Sequence, residues 1–294
     1  MKVKLASAPV SWGIFEFAGI QPRYAWNQVL DEIASTGYLG TELGPYGYLP
    51  TQPEVLRAEL DRRGLQLLSA FVPVDLARHE AHEEGLRAAL QVGGLLRQLG
   101  ATLLVLADSN GSLPELVRQA GRRTGCWLHD WTTYARGVDH IAQALHQELG
   151  LSVVFHHHCA GHVETPHETQ ALLEHTSVSL CLDTGHWHYA GGDAVECLRH
   201  WGSRVGYLHF KDCQPDIAAR CRRDQLDYFE AVKAGVFCPL GEGEVDFVGL
   251  LRELQRLDYD GWAVVEQDVL GADLDAPRRY SQRNRDFLRK LGLD

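Results

Sequence analysis

The sequence lacks the long apolar run that a membrane-spanning helix requires. No stretch approaches the roughly 18 apolar residues that cross a bilayer, and the N-terminal segment lacks the apolar length and cleavage site of a signal peptide. A long basic run is also missing, and the formal net charge is −11. Nucleic-acid-binding proteins usually carry a basic stripe, so we expect neither a membrane nor a nucleic acid as a partner.

Cysteines are few and scattered. There are seven in 294 residues, and an odd number without C-x-x-C pairs is not a disulfide framework. Reduced thiols are typical of the cytosol, so a cytoplasmic protein is expected. Histidine is abundant by contrast, with fifteen residues, and three of them are consecutive at positions 156–158.

Short apolar runs alternate with helical patterns along the whole chain. Eight runs have the length and composition of strands, namely residues 3–8, 39–43, 66–71, 102–107, 152–156, 178–182, 204–210 and 262–265. Such alternation predicts parallel strands joined by crossover helices, and eight strands close a (β/α)8 TIM barrel. We therefore expect a single α/β domain over residues 1–294. An open doubly wound sheet would carry a glycine-rich fingerprint after the first strand, which residues 7–13 do not match.

Helices are predicted between these runs. Apolar residues recur with the helical period in residues 24–36, 84–99, 131–149, 247–257 and 277–291. Thr165 and Glu168 have the spacing of a capping box, with proline at the first helical position. Asp246 is expected to cap the helix that follows it.

Polar side chains follow one predicted strand after another at the same end. They are Glu42 after the second strand, His156 and His158 at the fifth, Asp183 and His186 at the sixth, His209 and Lys211 at the seventh, and Glu266 at the eighth. Barrel closure brings these ends to one mouth, where buried like charges are costly without a cation. We therefore expect Asp183, His209 and Glu266 to share one divalent metal ion. Carboxylates with imidazoles suit Mn, Co, Zn or Mg.

The triple histidine has its own expectation. Alternate side chains of a strand face opposite ways, so His156 and His158 should face the mouth together. One of them is expected to bind the metal and the other to touch the substrate. His157 should pack against the flanking helix layer.

The chain resembles the xylose-isomerase-like sugar isomerase/epimerase superfamily, and within it the inosose dehydratases. The resemblance runs nearly end to end. It is carried by Phe155-His156-His157-His158, Asp183-Thr184-Gly185-His186, Leu208-His209-Phe210-Lys211-Asp212, Cys221-Arg222-Arg223, Gly241-Glu242-Gly243-Glu244-Val245-Asp246-Phe247 and Gly261-Trp262-Ala263-Val264-Val265-Glu266. The superfamily pattern implies Asp183, His209 and Glu266 as metal ligands. His156 stands where the superfamily has a glutamate, and His158 and Glu164 are alternative fourth ligands.

The resemblance implies a hydro-lyase that removes water from a keto-cyclitol such as 2-keto-myo-inositol, with Mn or Co as the favoured metal. His158 or Glu42 would remove the proton α to the carbonyl, and Lys211 would stabilise charge or protonate the leaving hydroxyl. His186, Arg222 and Trp12 would contact the substrate. The excursion over residues 213–245 would form a lid or substrate wall.

Two other enzyme classes are alternatives. A ketose isomerase or epimerase would use the metal to support an enediol, and metal ligands alone do not separate it from a dehydratase. An apurinic endonuclease needs more histidine ligands for a metal cluster and a basic groove, and the acidic composition argues against it. A small polyol or keto-sugar is thus the expected partner, and a homo-oligomer is compatible with the sequence.

Overall fold

The computed structural model of the protein describes residues 2–17, 21–109, 113–123, 128–271 and 273–294. Its centre is a parallel sheet. In chain order its strands are β1 (Lys2–Ser7), β2 (Gly40–Thr41), β3 (Gln66–Leu67), β4 (Phe71–Val74), β5 (Leu103–Asp108), β6 (Ser152–His156), β7 (Ser179–Asp183) and β8 (Val205–Phe210), and, later in the chain, β11 (Asp260–Val265). Each predicted strand lies within a few residues of an observed one, and the fifth has the predicted bounds.

The sheet closes on itself through the third predicted strand, which is divided into β3 and β4. These two segments lie at opposite ends of the strand order β3-β2-β1-β11-β8-β7-β6-β5-β4. Between them, the Leu68 N–H donates to the Thr41 carbonyl at 3.0 Å, and the Ala70 carbonyl accepts from the Val105 N–H at 3.0 Å. One continuous run therefore bonds both edges of the sheet. The predicted (β/α)8 barrel is confirmed, with β3 and β4 together forming its third strand.

Helices follow the strands, and most of them cover the outside of the barrel. They are α1 (Trp26–Thr36), α2 (Pro53–Asp61), α3 (His82–Gln98), α4 (Pro114–Val117), α5 (Trp131–Leu149), α6 (Pro166–His175), α7 (Thr184–Tyr189), α8 (Ala194–Trp201), α9 (Pro215–Arg223), α10 (Tyr228–Lys233), α11 (Phe247–Arg256) and α12 (Ala276–Lys290). The capping box of Thr165 and Glu168 is present, and Asp246 accepts from the Gly249 N–H at 2.8 Å. Both predicted caps are confirmed. Within the described ranges, no helix is long and apolar enough to cross a membrane.

Two apolar layers build the core. Small and medium side chains, including Ala6, Val105, Val154 and Val264, fill the barrel interior, and a much larger cluster packs the strands against the helices. Fully burying one aliphatic side chain contributes about 1.5–3 kcal/mol, so these layers hold the strand ends rigidly. The six cysteines within the described residues are buried free thiols. Cys126 lies outside those residues.

The excursion after β8 forms a small lobe beside the mouth of the barrel. It contains the short antiparallel strands β9 (Asp212–Cys213) and β10 (Phe237–Cys238) with α9 and α10 between them. Its apolar side, which includes Tyr228 and Phe237, packs with Phe15 and Phe17 from the loop after β1. Asp212 anchors the base of the lobe, because its carboxylate accepts from several backbone N–H groups at 2.8–3.1 Å.

Candidate active site

A cavity of about 430 Å³ opens at the carboxyl ends of the strands. Its polar lining includes Glu42, His156, His158, His209, Lys211, Tyr228, Glu266 and Asp268. Phe71 and Phe17 supply part of its apolar wall. The cavity therefore combines a few convergent charged groups with aromatic surface, as small-molecule sites commonly do.

Four buried side chains form a group at the floor of this cavity, which we call the strand-end cluster: His156, Asp183, His209 and Glu266. One donor atom from each lies within 4.8 Å of the donors of the other three. Strand pairing explains the convergence. Asp183 on β7 is paired with His209 on β8, and Glu266 directly follows Val265, which is paired with Phe210.

Asp183 shows how the backbone aims these groups inward. Its Oδ1 caps α7 by accepting from the N–H groups of Gly185 and His186, both at 2.9 Å. These two bonds direct Asp183 Oδ2 into the cluster. There Oδ2 makes no well-directed hydrogen bond and lies 3.1 Å from the Lys211 Nζ. A buried carboxylate oxygen in this state is costly unless a cation lies beside it.

His209 is held from two sides. Its Nε2 lies 3.2 Å from Glu42 Oε1, and the same oxygen accepts from the Ser69 hydroxyl at 2.7 Å. Its Nδ1 faces the cluster, 3.3 Å from Glu266 Oε2. A carboxylate behind a histidine fixes the ring so that the opposite nitrogen faces a metal. Glu42 thus has the geometry of an orienting group as well as a position in the cavity wall.

Lys211 is buried in the site and is not a solvated surface residue. Its Nζ lies 3.1 Å from Asp183 Oδ2 and from Glu266 Oε2, and 2.9 Å from Asp268 Oδ1. Burial alone would lower the pKa of Lys211, but these three carboxylates hold it well above its usual range. In return, His209 and Lys211 overcome the effect of burial and lower the pKa of Glu266 to about 2. The lysine is therefore an ammonium among carboxylates.

His158 and His186 are neutral imidazoles beside this ammonium. Burial, followed by the neighbouring positive groups, lowers the pKa of each well below its usual range. The Nδ1 of His158 donates to the Cys159 carbonyl, which leaves its Nε2 as a proton acceptor. The Nε2 of His186 lies 3.0 Å from the Lys211 Nζ.

His157 points away from the cavity. Its Nε2 accepts from the Asp183 N–H at 3.2 Å, and its ring packs edge-on against Trp187 of α7, with centroids 5.0 Å apart. Burial lowers the pKa of His157 to about 3. The predicted alternation is confirmed, because His156 and His158 line the cavity while His157 packs against the helix layer.

Three residues named from the sequence lie elsewhere. The Trp12 indole is buried and donates to Glu32 on α1 at 2.6 Å, so packing explains it and its geometry does not support a substrate contact. Arg222 lines a separate cleft beside Tyr189. Glu164, the alternative fourth ligand, is bound by Arg122 at 2.6 Å and is therefore not available to a metal in the cluster.

Two further residues of the site had no predicted role. The Tyr228 hydroxyl of α10 donates to Asp268 Oδ2 at 2.8 Å, and Asp268 contacts Lys211 through its other oxygen. Asp268 stands two residues beyond Glu266, and that spacing was the available signal for it. Tyr228 comes from within the excursion, where no periodic pattern links it to the strand ends.

The strand-end cluster fits a divalent metal ion by its own chemistry. Ligands about 2.0–2.2 Å from an ion stand roughly 3–4 Å from one another, close to the spacing of these donors. Two carboxylates and two imidazoles match a borderline divalent ion. The buried Asp183 Oδ2 and His209 Nδ1 make no hydrogen bond, which is the condition of atoms that an ion would coordinate. His158, His186 and Asp268 form a second group of the same kind beside it.

Barrel closure, the mouth cavity and the strand-end cluster together define a family of enzymes. Residues 30–291 match the model of the xylose isomerase-like TIM barrel family, and the chain belongs to that family. The resemblance predicted from the motifs is confirmed, and the protein is an enzyme.

Individual relatives are similar to this chain over most of its length. A protein named inosose dehydratase from Geobacillus kaustophilus (strain HTA426) is 34% identical, and the match covers 98% of this chain and 94% of the relative. The rhizopine catabolism protein MocC of Rhizobium meliloti is 35% identical over 91% of this chain and 82% of its own length. A crystal structure of a probable 3-DHS dehydratase, AsbF, from Bacillus anthracis shares the fold with a TM-score of 0.70 at 17% identity, covering 98% of this chain and 99% of that one.

Proposed function

We propose that the protein is a metal-dependent hydro-lyase that removes water from a keto-cyclitol such as 2-keto-myo-inositol. The observation that carries this proposal is the convergence of a neutral imidazole, a buried ammonium and the strand-end cluster on one cavity. The match to an inosose dehydratase over nearly the whole chain supports the same substrate class. Cavity size and the convergent polar groups suit a small polyol.

His158 is the proposed base. Its Nδ1–H is committed to the Cys159 carbonyl, so Nε2 carries a lone pair on the cavity side, and the lowered pKa keeps the ring neutral. It would take the proton from the carbon α to the substrate carbonyl. Glu42 is the second candidate, but one of its oxygens already accepts from Ser69 and faces His209. That arrangement favours an orienting role for Glu42.

Lys211 is the proposed partner of the leaving group. The electron pair of the broken C–H bond forms a carbon–carbon double bond and expels the β-hydroxyl, which leaves as water after taking a proton from the ammonium. The product is an unsaturated ketone that is the enol of a dione. His186, 3.0 Å from Nζ, and Asp268, 2.9 Å away, would hold the ammonium toward the departing oxygen.

The proposed ligands of the metal are His156, Asp183, His209 and Glu266, with Mn or Co favoured. When bound, the ion would act as a Lewis acid on the substrate's carbonyl oxygen and a neighbouring hydroxyl. Glu42 would keep His209 turned toward it. Lys211 and the metal ion would together neutralise the carboxylates of Asp183 and Glu266.

The test uses the purified full chain, treated with chelator and reloaded with Mn or Co, and 2-keto-myo-inositol as substrate. Absorbance should show a conjugated dione only with metal present. His158→Asn should lower kcat at least about 100-fold, the usual contribution of a general base. His167→Asn, an exposed histidine on α6, is the matched control and should retain full rate.

Absence of dione with either metal would contradict the dehydratase assignment. Product analysis by NMR then distinguishes the alternative, because an isomerase or epimerase would convert a ketose to a product of the same mass. Metal-dependent conversion of that kind, with no loss of water, would replace the proposed function.

A further inference from the structure

An open cleft of about 1160 Å³ lies outside the mouth cavity, between the loop after α4 and helix α9 of the lobe. Its lining includes Arg118, Arg122, Arg123 and Arg222 together with Gln119 and Gln225, and none of the described residues that line it is an aspartate or a glutamate. The protein as a whole has a formal net charge of −11. Four arginines around one cleft are therefore a local departure from the composition of the chain.

Only one of these arginines has its charge compensated. Arg122 is bound by Glu164 and Glu168 beneath the cleft. Within the parts of the chain that the structure describes, Arg118, Arg123 and Arg222 make no ion pair. Burial, and then the positive charge of Arg123, lower the pKa of the Arg222 guanidinium, so these two like charges oppose each other.

Tyr189 at the end of α7 contacts both Arg222 and the loop that carries the other three arginines. The Arg222 Nη1 donates to the Tyr189 carbonyl at 3.3 Å, and its guanidinium carbon lies 5.6 Å from the centre of the tyrosine ring. The same ring fills the space beside Gly121, whose φ is +77° and where a Cβ would lie 2.3 Å from a ring carbon. One ring thus contacts both Arg222 and the 118–123 segment. Because these groups are already held close together, they lose less entropy when they bind a ligand.

We infer that this cleft is a second binding site, for a small molecule that carries a phosphoryl group. A phosphoryl group offers three terminal acceptor oxygens, which matches the three uncompensated guanidinium groups. Arginine forks bind such oxygens in a bidentate manner. The bound anion would bridge the lobe, through Arg222, to the barrel, through Arg118 and Arg123. This inference does not depend on the proposed dehydratase activity.

The cleft also lies behind the active site. Tyr189 packs edge-on against Phe237, with ring centroids 6.1 Å apart. On its other side, Phe237 contacts His186, with centroids 4.9 Å apart, and its ring centre lies 5.2 Å from the Lys211 Nζ. Two aromatic rings therefore separate the arginines from the reacting groups.

Thermal unfolding of the full chain, followed by circular dichroism, tests the inference with inorganic phosphate as the probe. At about 20 mM phosphate, compared with potassium chloride of equal ionic strength, we expect the unfolding temperature to rise by at least about 2 °C. The Arg123→Gln/Arg222→Gln double variant should lose this rise. Arg223→Gln should keep it, because Arg223 pairs with Asp224 and does not line the cleft.

Isothermal titration gives the same comparison without unfolding. Phosphate should bind the double variant at least about 10-fold more weakly, since two of the charged hydrogen-bond donors to the anion are removed. An unchanged affinity in the double variant, or no binding to the wild type, would overturn the inference. Acetate at equal ionic strength is titrated as a comparison. If acetate bound as tightly as phosphate, the phosphoryl assignment would be wrong.

Discussion

Two buried groups of charges lie on the same side of this barrel, and they differ in how completely their atoms are bonded. The first is the Arg122 cluster, formed by Arg122, Glu164 and Glu168. The second is the strand-end cluster. Both are removed from water, and both combine carboxylates with positively charged or imidazole groups. Burial of charge therefore does not distinguish a functional site from a structural one.

Hydrogen bonding does distinguish them. Each carboxylate oxygen of Glu164 and Glu168 accepts at least one hydrogen bond, from Arg122 or from backbone N–H groups at 2.5–3.4 Å. In the strand-end cluster, Asp183 Oδ2 and the Nδ1 atoms of His156 and His209 have no such bond. A satisfied network rigidifies a fold, whereas buried atoms without a hydrogen bond beside a cavity are free to contact a bound ligand.

The largest expected effect comes from Asp183→Asn, which removes one ligand and its charge. Bound metal and activity should both fall, with kcat/KM reduced at least about 1000-fold because the ion supplies several kcal/mol of stabilisation. Folding should be retained, since asparagine can still cap α7. Metal analysis and the dione assay measure the two losses.

Asp193→Asn is the matched control for that substitution, because Asp193 caps α8 in the same way but lies outside the site. It should leave metal content unchanged. If Asp183→Asn bound as much metal as the wild type, the assignment of the strand-end cluster as the metal site would be wrong.

Arg122→Met should reduce stability and leave metal binding intact, which is the opposite of the result expected for Asp183→Asn. Removing one partner of a buried ion pair costs about 3–5 kcal/mol, because Glu164 and Glu168 would lose Arg122, the only cation that pairs with them in the described part of the chain. The folded fraction should nevertheless bind metal as the wild type does. Denaturant unfolding measures the first effect and metal analysis the second. Loss of metal without loss of stability would show that the Arg122 cluster belongs to the site.

Removal of the metal should destabilise the protein without unfolding it. An ion that binds only the folded state stabilises it by about 2.7 kcal/mol when its concentration is 100 times the Kd. Chelator should therefore lower the unfolding temperature of the wild type and leave that of Asp183→Asn nearly unchanged. An equal decrease in both would place the ion elsewhere.

Tyr228→Phe should have the smallest effect. It removes the hydroxyl that donates to Asp268 and costs about 1 kcal/mol, the usual net contribution of one hydrogen bond. Because Asp268 helps to hold Lys211, we expect kcat to fall about 10-fold with bound metal unchanged. Kinetics and metal analysis of the same preparation check this. An unaltered kcat would indicate that the lobe covers the cavity but does not help to hold Lys211.

The sequence predicted the regular part of this molecule well. Strand ends follow from apolar runs, and barrel closure brings them together, so the positions of His156, Asp183, His209 and Glu266 at one mouth could be foreseen. The alternation of strand side chains also separated His157 from its two neighbours. These predictions depend on periodicity, which a single sequence displays.

The irregular part could not be predicted in the same way. Trp12 and Glu164 lie in loops that follow strands, and Arg222 lies in the excursion after β8. Each is engaged by a partner distant in the chain: Glu32, Arg122 and Tyr189 respectively. Tyr228 reaches the site from the middle of the lobe. Such contacts depend on how loops fold over the barrel, and no spacing in the sequence encodes them.

Titration of the metal-free full chain with Co²⁺, followed by visible absorbance, tests the central claim most directly. The account predicts a d–d spectrum of mixed nitrogen and oxygen ligation that saturates at about one strongly bound ion per chain, and its loss in Asp183→Asn but not in Asp193→Asn. A wild type that binds no Co²⁺, or an Asp183→Asn variant with an identical spectrum and stoichiometry, would contradict it.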